Sequence, residues 1–334
     1  MNASDPPARA APDASPERSG PGLEVGPRAW TLHGLNSGVI FGATCRGVAI
    51  LPRRVSYAIG VVGTWLAWRL MHDTRSALVD NLRAVCPGAS AAELERHALE
   101  TFRAYARDVI DFLHTLRAPE AELPGVFECR REDQQLFDDL LARGRGIILV
   151  SGHYGNWEAG GVFMRRVCHL PLTIMAMTEA SPGANRLRRD IRDRLGADTI
   201  DVRQSLDTAL QIRRRLADNG IVAMLMDRHL GRDCIDVAFL GRRASFLKTP
   251  PLMGFLTGAP LVPCFVERTG PARFTVSAGE PIVVSTDLAR DDAIQRAAQQ
   301  FADQLSARVR MHPEYWYHFY RYWETHPERS DRPA

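Results

Sequence analysis

The chain has 334 residues, of which 45% are hydrophobic and 24% are charged, and its formal net charge is +3. This composition is that of a globular protein with one large domain, or one domain and a helical extension. A net charge this small gives no basis for nucleic-acid binding. The cysteines lie far apart and form no C-x-x-C pair. We therefore expect neither a disulfide framework nor a zinc knuckle, and the pattern favours a reducing, cytosolic environment.

The first residues, 1–28, are rich in Ala, Pro, Ser, Gly and Arg and contain four acidic residues. They lack the apolar core of a signal peptide. We interpret them as a disordered tail, because such a segment buries too little apolar surface to fold.

Two uncharged runs follow this tail, Ala29–Cys45 and Val55–Trp68. Both are shorter than the roughly 20 apolar residues that a membrane-spanning helix needs. The second run is flanked by arginines and carries Trp65 and Trp68 near its end, a pattern typical of a helix that lies in the membrane surface. A buried helix of a soluble core explains the same run, and the pattern leaves both interpretations open.

Helical periodicity continues from Asp73 to Arg117. The dipeptide Pro87-Gly88 ends a first predicted helix, and an amphipathic pattern over Glu93–Leu116 predicts a second, longer one. We therefore expect residues 29–120 to form a helical, membrane-associated region.

Beyond Gly144, short apolar runs alternate with helical patterns. The predicted strands are Gly146–Val150, Leu172–Met177, Ile221–Met226, Leu261–Val266 and Phe274–Ser277. The predicted helices are Asn156–Val167, Asn185–Leu195, Ser205–Asp218 and Pro250–Thr257. This alternation indicates an α/β fold whose strands are buried on both faces and whose functional groups gather at strand ends.

Residues 151–158, Ser-Gly-His-Tyr-Gly-Asn-Trp-Glu, come directly after the first predicted strand. His153 therefore lies in a tight turn, and Glu158 lies early in the following helix. A carboxylate that orients an imidazole lets it act as a general base toward a substrate hydroxyl. A chance pairing of the two residues explains the spacing equally well. One His and one Glu are too few ligands for a metal site, so no metal is expected.

This segment resembles the H-x4-D/E motif of the late (lauroyl/myristoyl type) lipid A biosynthesis acyltransferases, which are related more distantly to glycerolipid and lysophospholipid acyltransferases. Further motifs similar to that family occur in order, so the resemblance covers roughly residues 45–323. These motifs are Leu51-Pro52, Asp80–Arg83 with Pro87, Met226–His229, Val237–Gly241, Thr249-Pro250, Thr257–Pro263 and His312–Trp316.

The resemblance implies a glycerol-phosphate-acyltransferase-like sheet flanked by helices, an α/β acyltransferase domain over 121–323, and a flexible tail over 324–334. It also implies that His153 is the general base, that Glu158 is its partner, and that Asp227 lines the site. The family's habit of binding an anionic headgroup or donor phosphates points to three arginines: Arg189, Arg192 and Arg194. The amides of Gly155 and Asn156 are expected as oxyanion donors, because they lie at a helix N-terminus.

The expected reaction moves a fatty acyl chain from acyl carrier protein or CoA to a hydroxyl of a lipid A precursor, without a further cofactor. We expect it at the inner membrane, with the catalytic domain facing the cytoplasm. A lysophospholipid, a phosphatidylinositol mannoside-like glycolipid or an amino-acid lipid is an alternative acceptor. A non-catalytic lipid-binding membrane protein is a further alternative. A serine esterase is disfavoured because the chain has no G-x-S-x-G motif.

Overall fold

The computed structural model describes residues 47–48, 50–176, 190–202 and 206–325. The predicted tail over 1–28, residues 326–334 and Arg189 lie outside them. The described part opens with three helices, α1 (Arg53–Leu70), α2 (His72–Val85) and α3 (Ala91–Thr115). The predicted break at Pro87-Gly88 is confirmed. Helix α3 begins with a capping box, in which the Glu93 amide donates to Ser90 Oγ at 3.3 Å and the Ser90 amide donates to Glu93 Oε2 at 2.8 Å.

Helix α1 packs against α3 with a face of small and polar residues. Ser56 and Thr64 are buried, and Gly60 lies between them one turn from each. A Cβ atom at Gly60 would lie 2.7 Å from Ile110 Cδ1, so the glycine allows the two helices to approach closely. The predicted run over 55–68 is thus one helix, and its inward face combines buried Ser56 and Thr64 with Tyr57, Ala67 and Trp68, which are partly buried against the core.

The outward face of α1 is apolar. Its exposed large residues are Val55, Ile59, Val61, Val62, Trp65, Leu66 and Leu70. The flanking residues Arg53, Arg54 and Arg69 are basic, and the Arg69 guanidinium lies 5.3 Å from the centre of the Trp65 ring. Among the described helices, none is both long and apolar enough to cross a membrane.

The second part of the chain is an α/β unit whose central sheet has seven strands in the described residues, in the order β1-β9-β8-β2-β5-β3-β4. The strands of this sheet are β1 (Phe127–Cys129), β2 (Ile147–Ser151), β3 (Leu172–Ala176), β4 (Asp198–Asp201), β5 (Ile221–Leu225), β8 (Leu261–Gly270) and β9 (Arg273–Ala278). All neighbours are parallel except β8 and β9, which are antiparallel. Strands β6 (Ile235–Phe239) and β7 (Arg242–Phe246) form a separate hairpin.

The helices of this unit are α4 (Arg131–Leu141), α5 (Trp157–Val162), α6 (Leu206–Ala217), α7 (Thr249–Thr257) and α8 (Arg290–Met311). A π-helical turn over Phe163–Val167 extends α5, and residues 190–195 are also helical. The predicted strands and helices are confirmed within the described residues, with shifts of a few residues at their ends. Strands β1, β4, β6 and β7 and helices α4 and α8 were not predicted from the sequence.

The central strands are buried on both faces, as predicted. Ile148 and Val150 of β2 pack with α6 and α8, through residues such as Ile212 and Phe301. Ile147, the neighbour of Ile148, packs on the opposite face among residues of α3 to α5. The sheet is therefore a middle layer between two layers of helices, and the carboxyl ends of its central strands form one edge of this layer.

Candidate active site

Two candidate residues lie just beyond the carboxyl ends of neighbouring strands. Strands β2 and β5 are parallel, and Ser151 pairs with Leu225 at their ends. His153 and Asp227 each come two residues after a member of this pair. Because the strands run side by side, the two residues are brought together above the middle of the sheet.

The imidazole of His153 is hydrogen-bonded to Asp227. His153 Nδ1 lies 2.6 Å from Asp227 Oδ1, and the backbone amide of His153 donates to Asp227 Oδ2 at 2.8 Å. The side chain of His153 is 16% exposed, whereas the side chain of Asp227 is fully buried. The Trp157 ring lies against the imidazole, with ring centres 5.3 Å apart. His153 is therefore fixed at two points by one carboxylate and still reaches the surface.

Asp227 is ionised in this arrangement. Burial alone would raise its pKa, but His153 and His318 hold the pKa of this carboxyl well below its usual range. An ionised carboxylate accepts hydrogen bonds and donates none, so His153 Nδ1 must carry a proton. The lone pair of the neutral ring is then on Nε2, which is the nitrogen that a general base needs.

A second histidine, His318, binds the other side of Asp227. Its Nε2 lies 2.8 Å from Asp227 Oδ2, and its Nδ1 lies 2.9 Å from the Tyr320 hydroxyl. The side chain is fully buried, and this burial lowers the pKa of His318 to about 3. His318 was not predicted as a site residue. Its position within a run of aromatic residues after α8 is the signal that the sequence offers, and no spacing rule connects it to Asp227.

The aromatic run that carries His318 is tied to the turn after β2. The Gly155 amide donates to the Tyr315 carbonyl at 2.8 Å, and the Tyr317 amide donates to the His153 carbonyl at 2.8 Å. From α2, Asn81 Nδ2 donates to the carbonyls of His318 at 3.0 Å and of Tyr320 at 2.8 Å. Three separate parts of the chain thus meet around Asp227.

Both predicted oxyanion donors are engaged elsewhere. Gly155 donates its amide to Tyr315, and the Asn156 amide donates to the Val266 carbonyl at 2.8 Å. These hydrogen bonds occupy both amides, so the oxyanion role expected for them is not available in this structure. The Asn156 side chain is also committed, because its Oδ1 accepts from the Ala159 amide and its Nδ2 donates to the Asp108 carbonyl. Asn156 therefore caps α5 and links it to α3.

The remaining predicted residues that the structure describes lie on two helical segments. Glu158 is half-buried in the first turn of α5, as the sequence predicted. Arg192 and Arg194 lie in the helical segment 190–195, where Arg194 is exposed and Arg192 is half-buried. Leu195, at the end of this segment, contacts α5 at Gly161. The arginine segment is therefore next to the helix that begins at the active site.

A buried acid lies behind the site on α3. Tyr317 donates its hydroxyl to Asp108 Oδ2 at 2.7 Å, and Asp108 Oδ1 has no hydrogen-bond partner among the described residues. Burial raises the pKa of Asp108 to about 7. A considerable fraction of Asp108 is therefore a neutral carboxylic acid at neutral pH.

The site holds more candidate metal ligands than the one His and one Glu expected from the sequence, because His153, Asp227 and His318 have donor atoms within 4.8 Å of one another. Their geometry nevertheless fits hydrogen bonds better than a metal. Each imidazole faces a different oxygen of the one carboxylate, and Asp227 Oδ2 also accepts from the His153 amide. The carboxylate is at the centre, where a metal ion would need to be, and its oxygens already have N–H partners.

The arrangement resembles the base and orienting acid of hydrolases and acyltransferases. A neutral imidazole with its Nδ1 proton on a buried carboxylate can take a proton at Nε2, and the carboxylate stabilises the imidazolium that forms. The described site can therefore activate a hydroxyl group.

Comparison with known proteins agrees with this chemistry. Residues 31–325 match the model of a family described as bacterial lipid A biosynthesis acyltransferase. The chain is 25% identical over 295 residues to a phosphatidylinositol mannoside acyltransferase of Mycolicibacterium smegmatis, a match that covers 85% of this chain and 90% of that protein. Phosphatidylinositol mannoside acyltransferases from two strains of Mycobacterium tuberculosis are each 25% identical over 198 residues, covering 58% of this chain and 60% of theirs.

Proposed function

Since the chain belongs to the bacterial lipid A biosynthesis acyltransferase family, we propose that it moves a fatty acyl chain from an acyl thioester to a hydroxyl of a lipid A precursor. The chain is an O-acyltransferase, and its acceptor is a lipid-like molecule. The donor in this proposal is acyl carrier protein or CoA, and no further cofactor takes part. The observation that carries the proposal is the 2.6 Å contact between His153 Nδ1 and the buried Asp227.

The proposed mechanism begins at His153. Its Nε2 takes the proton of the acceptor hydroxyl, and the oxygen attacks the carbonyl carbon of the thioester. The carbon–sulfur bond then breaks, and the leaving thiolate takes the proton from the imidazolium. General-base catalysis of this kind contributes about 10²–10⁴-fold to the rate.

In this mechanism Asp227 is the acid that orients His153. Asp227 binds both the ring and the backbone amide of His153, and its negative charge stabilises the imidazolium. The sequence-based proposal gave this role to Glu158, which lies in the first turn of α5. We retain Glu158 as a second acid of the site and assign to Arg189, Arg192 and Arg194 the binding of an anionic headgroup or donor phosphate.

We also propose that the enzyme works at the cytoplasmic surface of the inner membrane. Support comes from α1, whose outward face is apolar and whose ends carry arginines. Its 18 residues form a helix about 27 Å long, which can lie in the plane of the interface with its apolar face in the acyl region. The hydroxyl acceptor and the thioester donor would meet at this surface.

A second acceptor class is supported by the relatives. All three curated relatives are named phosphatidylinositol mannoside acyltransferases. A mannose-bearing phosphoglycolipid is therefore the alternative acceptor, and the base and its carboxylate would act on a sugar hydroxyl in the same way.

Mass spectrometry of total lipids tests the proposal. A strain without the gene is complemented with wild type, with His153→Ala, or with the control variant His72→Ala, which alters an exposed histidine at the start of α2. We expect loss of one acyl chain from lipid A in the deletion strain, restored by wild type and His72→Ala but not by His153→Ala. An unchanged lipid A together with an altered phosphoglycolipid would replace the acceptor by the alternative. Restoration by His153→Ala would refute the role of the base.

A further inference from the structure

Asp227 is held by more than the catalytic histidine. We propose that His318 is a positioning residue that keeps the Asp227 carboxylate ionised and turned so that its Oδ1 faces His153. This inference rests on the proposed function, because it assigns His318 a part in setting the proton affinity of the base. His318 itself neither touches the substrate nor transfers a proton in the proposed reaction.

Hydrogen bonds on both ring nitrogens fix His318 in a single tautomer. Asp227 is an ionised acceptor, so His318 Nε2 must donate to Oδ2 across the 2.8 Å contact. Nδ1 then carries the lone pair and accepts from the Tyr320 hydroxyl at 2.9 Å. Asn81 anchors the backbone at and after His318: its Nδ2 donates to the His318 and Tyr320 carbonyls, and its Oδ1 accepts from the Tyr322 amide at 2.9 Å. The donor is therefore preorganised, and no rotation of the ring is needed to present it.

The charged and titratable groups around His318 keep it neutral. Burial lowers the pKa of His318 most, Arg228 and His153 lower it further, and Asp227 raises it. Arg228 follows Asp227 in sequence, and its guanidinium lies 5.2 Å from the centre of the Tyr320 ring. The hydroxyl of Tyr322 donates to the Asp227 carbonyl at 2.8 Å. At physiological pH, His318 thus gives Asp227 a hydrogen bond without adding a positive charge that would compete with the imidazolium of His153.

The consequence concerns proton uptake by His153 and Asp227 as a pair. The form that can act as a base has a neutral imidazole beside an ionised carboxylate. A hydrogen-bond donor that stabilises the Asp227 anion makes proton uptake by the pair less favourable. Removal of the His318 donor therefore shifts the midpoint of proton uptake to higher pH. A hydrogen bond to a charged group corresponds to a shift of about one pH unit or somewhat more.

Modification of His153 by diethyl pyrocarbonate measures this midpoint without a substrate, because the reagent attacks the unprotonated imidazole. The rate is followed between pH 4.5 and 8.5 on the full chain, with the peptide that contains His153 quantified by mass spectrometry. We expect the midpoint of His318→Leu to lie about one pH unit above that of wild type. His318→Gln should restore the wild-type midpoint, because its amide nitrogen reaches about as far as Nε2.

Phe319→Leu is the matched control, since Phe319 is buried in the same segment and its ring packs on Phe102 of α3, with ring centres 5.5 Å apart. The midpoint of proton uptake in Phe319→Leu should equal that of wild type. An unchanged midpoint in His318→Leu, or an equal shift in Phe319→Leu, would overturn the inference. If His318→Leu does not fold, the midpoints of His318→Gln and His318→Asn are compared instead. The shorter Asn amide does not reach Asp227 Oδ2, so its midpoint should lie higher. Equal midpoints in these two variants would refute the proposal. A failed acyl-transfer assay would refute the proposed function and leave this measurement intact.

Discussion

His153 and Asp227 are 74 positions apart in sequence, yet His153 Nδ1 lies 2.6 Å from Asp227 Oδ1. The reason is the register of β2 and β5, in which Ser151 faces Leu225, two residues before each of them. The strand pairing therefore determines which acid lies beside His153. Glu158, which lies closer in sequence, belongs to the helix that leaves the site.

The first prediction separates these two acids. Asp227→Asn should lower kcat for acyl transfer by about 10²–10⁴-fold. The neutral amide can neither fix His153 in the tautomer that carries its proton on Nδ1 nor stabilise the imidazolium. Glu158→Gln should cost much less. The measurement is steady-state acyl transfer to extracted lipid acceptor by both purified variants. A larger loss in Glu158→Gln would return the orienting role to that residue.

The second prediction concerns the outward face of α1. The double variant Val61→Glu/Val62→Glu should bind vesicles that contain anionic phospholipid at least about 100-fold more weakly, because a buried valine side chain contributes about 1.5 kcal/mol or more. Its Tm should match that of wild type, since both side chains are exposed. Val283→Glu is the control: Val61 and Val283 are each 68% exposed, but Val283 is far from α1 in sequence. Equal loss of binding in both would refute α1 as the membrane surface.

The third prediction uses the raised pKa of Asp108, about 7. The folded protein keeps this proton to higher pH than the unfolded chain, so Asp108 lowers stability progressively as pH rises from about 4 to 7. Asp108→Asn is neutral at every pH and can still accept from Tyr317. We expect it to match wild type near pH 4 and to unfold at a Tm several degrees higher at pH 8. Thermal unfolding across this range is the measurement, with the exposed Glu122→Gln as control. Parallel curves for Asp108→Asn and wild type would contradict the prediction.

The fourth prediction concerns Gly155. Its φ is +61°, and a Cβ atom there would overlap the Val266 carbonyl oxygen. Gly155→Ala should destabilise the fold by about 3 kcal/mol or more and abolish activity, because β8 and the turn after β2 must separate. Gly63→Ala is a matched control, because nothing lies within 4 Å of its Cβ position on α1. This control should gain about 0.5–1 kcal/mol from the higher helix propensity of alanine. A stable, active Gly155→Ala enzyme would show that the turn can relax.

Periodicity and apolar runs were sufficient to predict the strands and helices that position the site. The run over 147–150 and the run over 221–225 are continuous and apolar, and they are the two neighbouring strands that present His153 and Asp227. Strands of three or four residues, such as Phe127–Cys129 and Asp198–Asp201, have too few residues for a recognisable pattern. The long helix Arg290–Met311 was not predicted, although its buried residues recur at helical spacing.

The hydrogen-bond partners in the site could not be predicted in the same way. The amides of Gly155 and Asn156 are at a helix start, which suggested oxyanion donors, but Tyr315 and Val266 from distant segments supply their acceptors. His318 binds Asp227 from an extended aromatic segment in which the pattern has no period. Both facts depend on which segments meet in space, and one sequence does not contain that information.

The apolar outward face of α1 has a practical consequence for biochemistry. Its inward side, with buried Ser56 and Thr64 and a Trp68 ring 5.8 Å from Phe102 of α3, packs against the protein, while the apolar residues that promote aggregation in water are exposed on the outward side. The outward positions can therefore be replaced as a set by Glu, Gln and Lys without repacking any layer of the enzyme. Such a redesigned protein should remain monodisperse in detergent-free buffer, where proton uptake at His153 can be titrated apart from any lipid phase.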